Sequence, residues 1–399
     1  MISRHATNDI MQGAQYFPVV AILGPRQSGK TTLAQAIFSN HIYLSLEDLD
    51  LRSAAINDPR TFLITHRNDH GIIIDEFQYA PDLLSYIKTT VDHDQIPGYF
   101  ILTGSQNFLM NQAISQSLAG RVSLHTLLPL SIAELTDSKM LPQEIETMLF
   151  QGSYPALYAK KVPAQLLYKN YFQTYVERDV RALTQVGDLT TFRTFVMLCA
   201  ARVGQLVNLA SLGSECGISD TTVKRWLTIL EASYIIFQLR PYHTNIGKRL
   251  VKSPKIFFYD TGLLCSLLGI EEKDLAHHPN RGNIFESFII SECIKRFYNQ
   301  GKNPQIYFWR DKTGHEIDCI IQQGQRLTAL EIKSARTANQ RFFEGIEYWD
   351  KLTQANSEQN QSKDILKSES FVVFAGSSKQ PRVRPHLISW QSLEEIFRD

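Results

Sequence analysis

The stretch LGPRQSGKTT, residues 23–32, decides the fold of the N-terminal part of this chain. The pattern GxxxxGK[ST] is matched in full by Gly24, Pro25, Arg26, Gln27, Ser28, Gly29, Lys30 and Thr31. In such a loop, backbone N–H groups wrap around phosphates, the lysine neutralises the β- and γ-oxygens, and the hydroxyl binds Mg²⁺. An apolar run enters the loop and TTLAQAIFSN leaves it as a predicted helix. This context favours a phosphate-binding loop over a chance Gly/Ser turn.

Apolar runs separated by helical patterns fill the first 130 residues. The predicted strands are FPVVAIL (17–23), HIYLSL (41–46), GIIID (71–75), YFILTG (99–104) and VSLHTLL (122–128). Several runs are apolar almost throughout, as expected where helices cover both faces of a parallel sheet. The alternation predicts an α/β layer with right-handed crossovers.

The second half of a nucleotide site is expected at the end of a neighbouring buried strand. GIIIDEFQ supplies Asp75 and Glu76, with 44 residues between Lys30 and Asp75. Asp75 is predicted to order Mg²⁺, and Glu76 to polarise the attacking water. A carboxylate pair after a strand can also be a solvated turn. The apolar run before it and the phosphate loop favour the functional interpretation.

Composition narrows the class of protein. The chain has 399 residues and a formal net charge of +1, which predicts two or three domains and no global basic field. The longest apolar run, 195–201, is seven residues, far short of the roughly 20 that cross a membrane. The N-terminus lacks the apolar core of a secretory signal, and the five cysteines contain no CxxC pair. We therefore expect a cytoplasmic protein with reduced, mostly buried thiols.

The middle of the chain is predicted to be helical. LLYKNYFQTYVERDVRAL (166–183) is amphipathic, and LASLGSECGISDTTVKRWLTIL (209–230) resembles a winged-helix type of helix-turn-helix. Ser219 is the expected N-cap of its second helix. Thr221, Thr222, Lys224 and Arg225 would then face solvent or a major groove.

A basic stretch follows this element. KRLVKSPK (248–255) adds Lys248, Arg249, Lys252 and Lys255 as a candidate phosphate-contacting patch. A structural connector with a solvated charged loop is the alternative to DNA contact.

The C-terminal part carries a carboxylate cluster. Asp318 lies in HEID, and Glu331 and Lys333 follow after twelve intervening residues in ALEIKS. On a strand, Glu331 and Lys333 point to one face. The grouping resembles the PD-(D/E)xK nuclease core, in which carboxylates hold a divalent metal and the lysine assists a water nucleophile. In that resemblance Glu286 is the extra acid, and a charged edge strand is the rival interpretation.

Two further patterns occur in this part of the chain. HEIDC lacks the second histidine of HExxH, which disfavours a zinc peptidase. The polar segment TQANSEQNQSKD (353–364) predicts a surface loop or linker.

The chain resembles bacterial and archaeal AAA-type ATPases that carry a C-terminal domain of unknown function related to restriction endonucleases. The matching pieces are GPRQSGKTTL, IIIDEFQYAPDLL, FILTGSQNFLM, SLAGR, YVERDV, KRLVKSPKIFFYDTGLL, GNIFESFIISE and EIDCII…LEIKS. The resemblance implies that Thr103 and Ser105 of LTGS lie near the γ-phosphate. It also makes Arg121 of SLAGR a candidate nucleotide contact, including across a subunit boundary, and Arg178 of YVERDV a similar candidate. Surface salt bridges are the alternative for both arginines.

These observations predict three parts: an AAA-type P-loop ATPase domain (1–130), a helical and winged-helix region (131–274) and a nuclease-like domain (275–399). We expect binding and hydrolysis of ATP with Mg²⁺, and the sequence leaves GTP open. DNA and a homo-oligomer are candidate partners. The alternative is a nucleotide-gated switch that binds DNA or protein and does not cleave.

The predicted site residues fall into three groups. The catalytic residues are Lys30, Glu76 and Arg121. Thr31 and Asp75 would hold Mg²⁺, and Glu286, Asp318 and Glu331 a second metal beside Lys333. The nucleotide contacts are Gly24, Pro25, Arg26, Gln27, Ser28, Gly29, Lys30, Thr31, Thr32, Thr103 and Ser105.

Overall fold

The computed structural model describes residues 2–105, 114, 117–176, 189–242, 253–359, 367–377 and 385–398. Two β-sheets organise these residues, one of five strands and one of seven. No helix in these ranges is both long enough and apolar enough to cross a membrane. All five cysteines are free thiols, and four of them are buried.

The five-stranded sheet is parallel throughout and has the order β2-β3-β4-β1-β5. Its strands are β1 (Val19–Gly24), β2 (Ile42–Ser45), β3 (Ile72–Asp75), β4 (Phe100–Ser105) and β5 (Val122–Thr126). All six residues of β1 are buried: Val19, Ala21 and Leu23 join one core, and Val20 and Ile22 join the core on the opposite face. This confirms the prediction of a parallel α/β layer covered on both faces.

Helices cover this sheet. They are α1 (Thr7–Tyr16), α2 (Lys30–Ile37), α3 (Leu49–Asn57), α4 (Pro59–Thr65) and α5 (Leu83–Asp94). Asp48 and Asp58 cap α3 and α4, because their side chains accept hydrogen bonds from backbone N–H groups of the first turn. Helix α2 begins at Lys30, directly after the phosphate-loop glycine.

The middle of the chain is helical within the described residues. Its helices are α6 (Ile132–Asp137), α7 (Ile145–Gln151), α8 (Pro155–Ala159), α9 (Ala164–Tyr171), α10 (Leu189–Ala201), α11 (Leu209–Cys216) and α12 (Asp220–Ala232). The predicted amphipathic helix is interrupted, since α9 ends at Tyr171 and continues as a π-helical segment, Phe172–Val176. Ser219 caps α12 through the N–H of Thr222, as predicted. The winged-helix assignment stays a prediction.

The seven-stranded sheet is mixed and has the order β12-β11-β10-β9-β8-β6-β7. Its strands are β6 (Ile236–Pro241), β7 (Lys255–Phe258), β8 (Ile306–Arg310), β9 (Glu316–Gln323), β10 (Arg326–Lys333), β11 (Lys367–Phe374) and β12 (His386–Ser389). The helices around it are α13 (Thr261–Leu267), α14 (Glu272–Leu275), α15 (Arg281–Tyr298) and α16 (Glu344–Gln359). One core runs from Leu128 to Ile396 and includes side chains of α10, α12 and α15.

Two expectations can be compared with this architecture. The second sheet continues across the boundary expected between residues 274 and 275, because β6 and β7 precede it while β8 to β12 follow it, and the domain bounds stay a prediction. The segment 353–364 was expected to be a loop, but residues 353–359 belong to α16. Low hydrophobicity was a poor guide there, since Trp349, one turn earlier, is fully buried and docks this helix.

Candidate functional site

The phosphate loop and the predicted acidic residues meet at one edge of the five-stranded sheet. The register pairs Gly24 of β1 with Ser105 of β4, and Thr103 of β4 with Asp75 of β3. All of these strands are parallel, so their carboxyl ends share this edge, where open α/β sheets bind ligands. The strand order therefore assembles segments that are far apart in the chain.

The loop from Gly24 to Gly29 has the backbone that its glycines permit. Gly24 has φ 153°, and a Cβ there would lie 2.2 Å from the carbonyl oxygen of Leu127. Gly29 has φ 94° in the left-handed region and directly precedes α2. Lys30 is 5% exposed, and its Nζ donates to the carbonyl oxygens of Gly24 (3.2 Å) and Pro25 (2.8 Å). The ammonium therefore lies inside the curve of the loop.

Asp75 is the hub of the hydrogen bonds beside the loop. The Thr31 hydroxyl lies 3.0 Å from each carboxylate oxygen of Asp75, and the Thr103 hydroxyl donates to Oδ1. The Tyr43 hydroxyl donates to Oδ2 at 2.8 Å. Burial, and then this hydrogen bond, raises the pKa of Tyr43 to about 12, so it donates at neutral pH. Tyr43 was missed in the sequence because nothing near it in the chain marks it.

Glu76 follows Asp75 in an unusual backbone conformation. Its φ of 53° places a non-glycine residue in the left-handed region, which is uncommon and concentrates at functional sites. Its carboxylate accepts from the Gln78 amide, which also donates to the Ser105 hydroxyl at 3.0 Å. Glu76 and Ser105 are thus joined through Gln78, a contact that the sequence did not indicate.

A cleft of about 710 Å³ opens beside the loop. Polar atoms of Lys30, Thr31 and Glu76 line one part, and apolar side chains complete it. The apolar residues are Ile2, Leu33, Leu130, Pro155, Ala156, Ala159, Val162 and Leu167. A cleft with a polar phosphate end and an apolar remainder has the chemistry that a nucleoside triphosphate requires.

Thr32 differs in its surroundings from the other predicted contacts at the start of α2. It lines the same cleft, but its side chain is exposed, whereas Lys30 is buried and Thr31 is half-buried against Asp75. Thr32 therefore stands at the open side of the cleft rather than inside the curve of the loop. Its contact with a nucleotide stays a prediction, and the structure gives it no part in the Mg²⁺ position beside Asp75.

Arg4 joins the loop to the elements that follow the sheet. This arginine is 7% exposed, and it donates to the carbonyl oxygens of Ser28 (2.7 Å) and Leu128 (2.6 Å). Its Nε donates to Glu134 of α6 at 3.0 Å. Because Arg4 is buried and bonds to Ser28, Leu128 and Glu134, it holds the phosphate loop against the start of the helical region.

The described residues fit a nucleotide and Mg²⁺. The Ser28 hydroxyl is buried in the loop without a hydrogen-bond partner among them, and Thr31 and Asp75 offer adjacent oxygen ligands. Bound Mg²⁺ would supply charge neutralisation for the β- and γ-phosphate oxygens. Lys30 would hold the same oxygens, and Glu76 would orient water.

Arg121 is not brought to this edge within one chain. Its carbonyl oxygen accepts from the N–H of Val19, at the start of β1, and the loop follows the other end of that strand. Five residues of strand span roughly 17 Å. The Arg121 guanidinium instead pairs with Asp92 through two hydrogen bonds, one of 3.0 Å. The structure therefore does not bring Arg121 to the phosphate loop of its own chain. Its catalytic role, including one in a neighbouring subunit, stays a prediction. Arg178 lies outside the described residues.

A second cluster of acids lies in the seven-stranded sheet. Glu286 of α15, Glu316 and Asp318 of β9 offer carboxylate oxygens that all lie within 4.8 Å of one another. Asp318 is fixed by the backbone N–H of Ile332 (2.7 Å). Glu331 Oε1 and Lys333 Nζ are 2.5 Å apart on the same face of β10. The structure therefore gathers Glu286, Asp318, Glu331 and Lys333, and adds Glu316, which the sequence analysis did not single out.

The pKa values of the buried groups in this second cluster are raised. Burial, and then the charge of Asp318, raises the pKa of both Glu286 and Glu331 to about 8. Burial also raises the pKa of Asp318. Burial alone would lower the pKa of Lys255, but Glu286, Asp318 and Glu316 outweigh it and raise that pKa overall. The cluster therefore keeps its ammonium group charged and shares protons among its acids.

Lys255 is not part of a surface basic patch. It is 4% exposed, and its Nζ lies 3.1 Å from Glu286 and in direct contact with Glu316. Lys248, Arg249 and Lys252 lie outside the described residues. On α12, Thr221, Lys224 and Arg225 are exposed and Thr222 is half-buried, so two basic side chains face solvent there.

Comparison with known proteins defines the class first. Residues 16–136 match the family described as an AAA domain, so this part of the chain is an AAA ATPase domain with a P-loop α/β fold. Residues 142–274 and 281–392 match two families described as domains of unknown function, DUF8612 and DUF4143. The AAA match and the fold support ATPase activity.

Two uncharacterized mycobacterial proteins are similar over most of the chain. Rv2008c of Mycobacterium tuberculosis and Mb2031c of Mycobacterium bovis are each 31% identical over 340 residues, which is 84% of this chain and 74% of theirs. The chain belongs to the family of these two proteins. Among solved structures, the Walker-type ATPase PABY2304 of Pyrococcus abyssi is 15% identical, with a TM-score of 0.44, covering 67% of this chain and 96% of that one.

Proposed function

We propose that this protein binds Mg·ATP in the cleft beside residues 24–32 and hydrolyses it. The observation that carries the proposal is the contact of the Thr31 hydroxyl with both oxygens of Asp75. Lys30 holds the β- and γ-phosphates, Thr31 and Asp75 hold Mg²⁺, and Glu76 activates water. Thr103 orients Asp75, and Ser105 positions Gln78 and hence Glu76.

Calorimetry with Mg·ATP and Mg·GTP tests this assignment. We expect wild type to bind a nucleotide, and Lys30→Ala to lose at least about 100-fold in affinity because the phosphate charge loses its partner. Lys88→Ala removes an exposed lysine of α5 and is the matched control. Equal binding by wild type and Lys30→Ala would contradict the assignment.

We propose further that the nucleotide state acts on the second sheet. A line of buried contacts supports this. Arg4 binds the loop and Glu134, and the N–H of Ile132 in the same helix donates to Glu292 of α15 at 2.7 Å. Lys295 of α15 donates to the carbonyl oxygen of Leu130 at 3.0 Å. Helix α15 also carries Glu286, about 9 Å along its axis from Glu292.

The output of this coupling takes one of two forms. The first is action on DNA with cleavage, supported by the gathering of Glu286, Asp318, Glu331 and Lys333. The second is a nucleotide-gated switch that binds DNA or protein and does not cleave. The buried Lys255 between Glu286 and Glu316 favours the second form, because its charge occupies the place where a catalytic metal would be needed.

Turnover and cleavage assays separate these forms. Wild type, Lys30→Ala and Asp318→Ala are compared with and without duplex DNA. DNA-stimulated ATP turnover without cleavage in any variant supports the switch. Cleavage that Asp318→Ala abolishes supports the nuclease. Turnover that ignores DNA leaves a protein partner as the target.

A further inference from the structure

The carboxylates around Glu286 have the spacing of a metal shell, but the space between them is taken. Glu286, Glu316 and Asp318 offer oxygens within 4.8 Å of one another. Oxygen ligands at such separations can surround one divalent ion at about 2.0–2.6 Å. Lys255 Nζ lies 3.1 Å from Glu286 Oε1 and contacts Glu316 Oε1. A metal bound to both of these acids would have to share their oxygens with the ammonium group.

The position of Lys255 is built into the fold. The lysine begins β7, pairs with Leu239 of β6 and bridges to Leu206. Its ammonium lies 5.6 Å from the ring centroid of Phe308 and 5.9 Å from that of Phe257, so aromatic faces flank it. Only 4% of the residue is exposed. Packing therefore holds this ammonium against the acids.

One acceptor near the cluster has no hydrogen-bond partner among the described residues. Glu331 is 7% exposed, and its Oε2 makes no hydrogen bond within the described part of the chain. Its other oxygen binds Lys333. A buried carboxylate oxygen left unsatisfied is costly, so Glu331 lies outside the set of acids that Lys255 satisfies.

We infer that Lys255 is the resident cation of the Glu286–Glu316–Asp318 cluster, in place of a divalent metal. The residues as they stand do not fit a catalytic metal, because the ammonium group of Lys255 already binds the oxygens of Glu286 and Glu316 that the metal would need. Removal of the ammonium group converts the same carboxylates into a site for an oxygen-seeking divalent cation. This inference concerns the second sheet alone and does not depend on the ATP site.

Titration of the full-length, nucleotide-free protein with Mn²⁺ by calorimetry tests the inference. Wild type and Asp318→Asn are expected to bind Mn²⁺ identically, because the cluster contributes no site. Lys255→Gln is expected to gain a site at least about 100-fold tighter than any that depends on Asp318 in wild type. The gain should disappear in Lys255→Gln/Asp318→Asn.

Arg310→Gln is the matched control. Arg310 lies 3.4 Å from the other oxygen of Glu316, so its loss removes a positive charge without emptying the space between Glu286 and Glu316. It should gain no site. A Mn²⁺ site of wild type that Asp318→Asn removes would overturn the inference, and so would a folded Lys255→Gln that gains none. If Lys255→Gln does not fold, the comparison of wild type with Asp318→Asn decides: equal binding supports the inference, and a difference overturns it.

Discussion

Two centres in the described part of the chain each place a buried lysine in a segment that also holds carboxylates, and their arrangements differ. Beside the phosphate loop, Lys30 donates to loop carbonyl oxygens while Asp75 accepts from hydroxyl groups, next to an open cleft. In the second sheet, Lys255 is in direct ionic contact with Glu286 and Glu316. In the first centre the charges are arranged around a space for a ligand. In the second they satisfy one another.

The largest effect on the centre beside the phosphate loop is expected from a substitution of Glu76. We expect Glu76→Gln to reduce kcat for ATP by about 10²–10⁴-fold, because a carboxylate that activates water is lost, while nucleotide binding is retained. Phosphate release under saturating ATP measures the first and calorimetry the second. Glu347→Gln, at an exposed glutamate of α16, is the control. Unchanged turnover in Glu76→Gln would exclude it as the residue that activates water.

The two lysines should differ in what they do for stability. Lys255→Met is expected to lower the free energy of unfolding by about 3–5 kcal/mol at pH 8, because it leaves buried acids without their ammonium partner. Lys30→Met should change it by less than about 1 kcal/mol, because the hydrogen bonds described for Lys30 go to the neutral carbonyl oxygens of Gly24 and Pro25. Urea unfolding monitored by circular dichroism gives both values. Equal losses in the two variants would remove the distinction between the centres.

The pH dependence of stability is a further test of the buried acids in the second sheet. The pKa of Glu331 is raised from 4.5 to about 8, so the folded state holds a proton that the unfolded state has released. The free energy of unfolding therefore falls as pH rises from about 4.5 to about 8, and this contribution levels off above it. Glu331→Gln should flatten the curve in that window, by a few kcal/mol at most. A Glu331→Gln curve parallel to that of wild type would contradict this.

The smallest effect is expected at Arg121. Arg121 and Asp92 form a partly exposed pair on the side of the sheet away from the loop. We expect Arg121→Ala and Asp92→Ala each to change ATP turnover by less than about twofold at low protein concentration, where chains do not associate. A loss above tenfold in Arg121→Ala alone, at concentrations where chains associate, would instead show that the arginine completes a neighbour's site.

The sequence predicts those features that local chemistry determines. The loop at 24–31 and the apolar run before Asp75 are contiguous patterns, and the five-stranded parallel layer follows from them. The place of Arg121 depends on strand order, which no contiguous pattern records. Lys255 and Glu286 are 31 residues apart, and a basic stretch around Lys255 resembles a surface patch unless the pairing of β7 is known. The roles of Tyr43 and Gln78 were missed for the same reason, because their contacts with Asp75 and Ser105 depend on which strands are neighbours.

Helix α15 limits how this chain can be divided or recombined. Glu292 and Lys295 bind the backbone N–H of Ile132 and the carbonyl oxygen of Leu130, immediately after the ATPase sheet. An N-terminal fragment ending before Arg281 would expose those backbone groups together with the apolar surface that the helix covers. A different C-terminal half would have to bring an acid and a lysine to the same place, because otherwise these backbone groups would lose their partners.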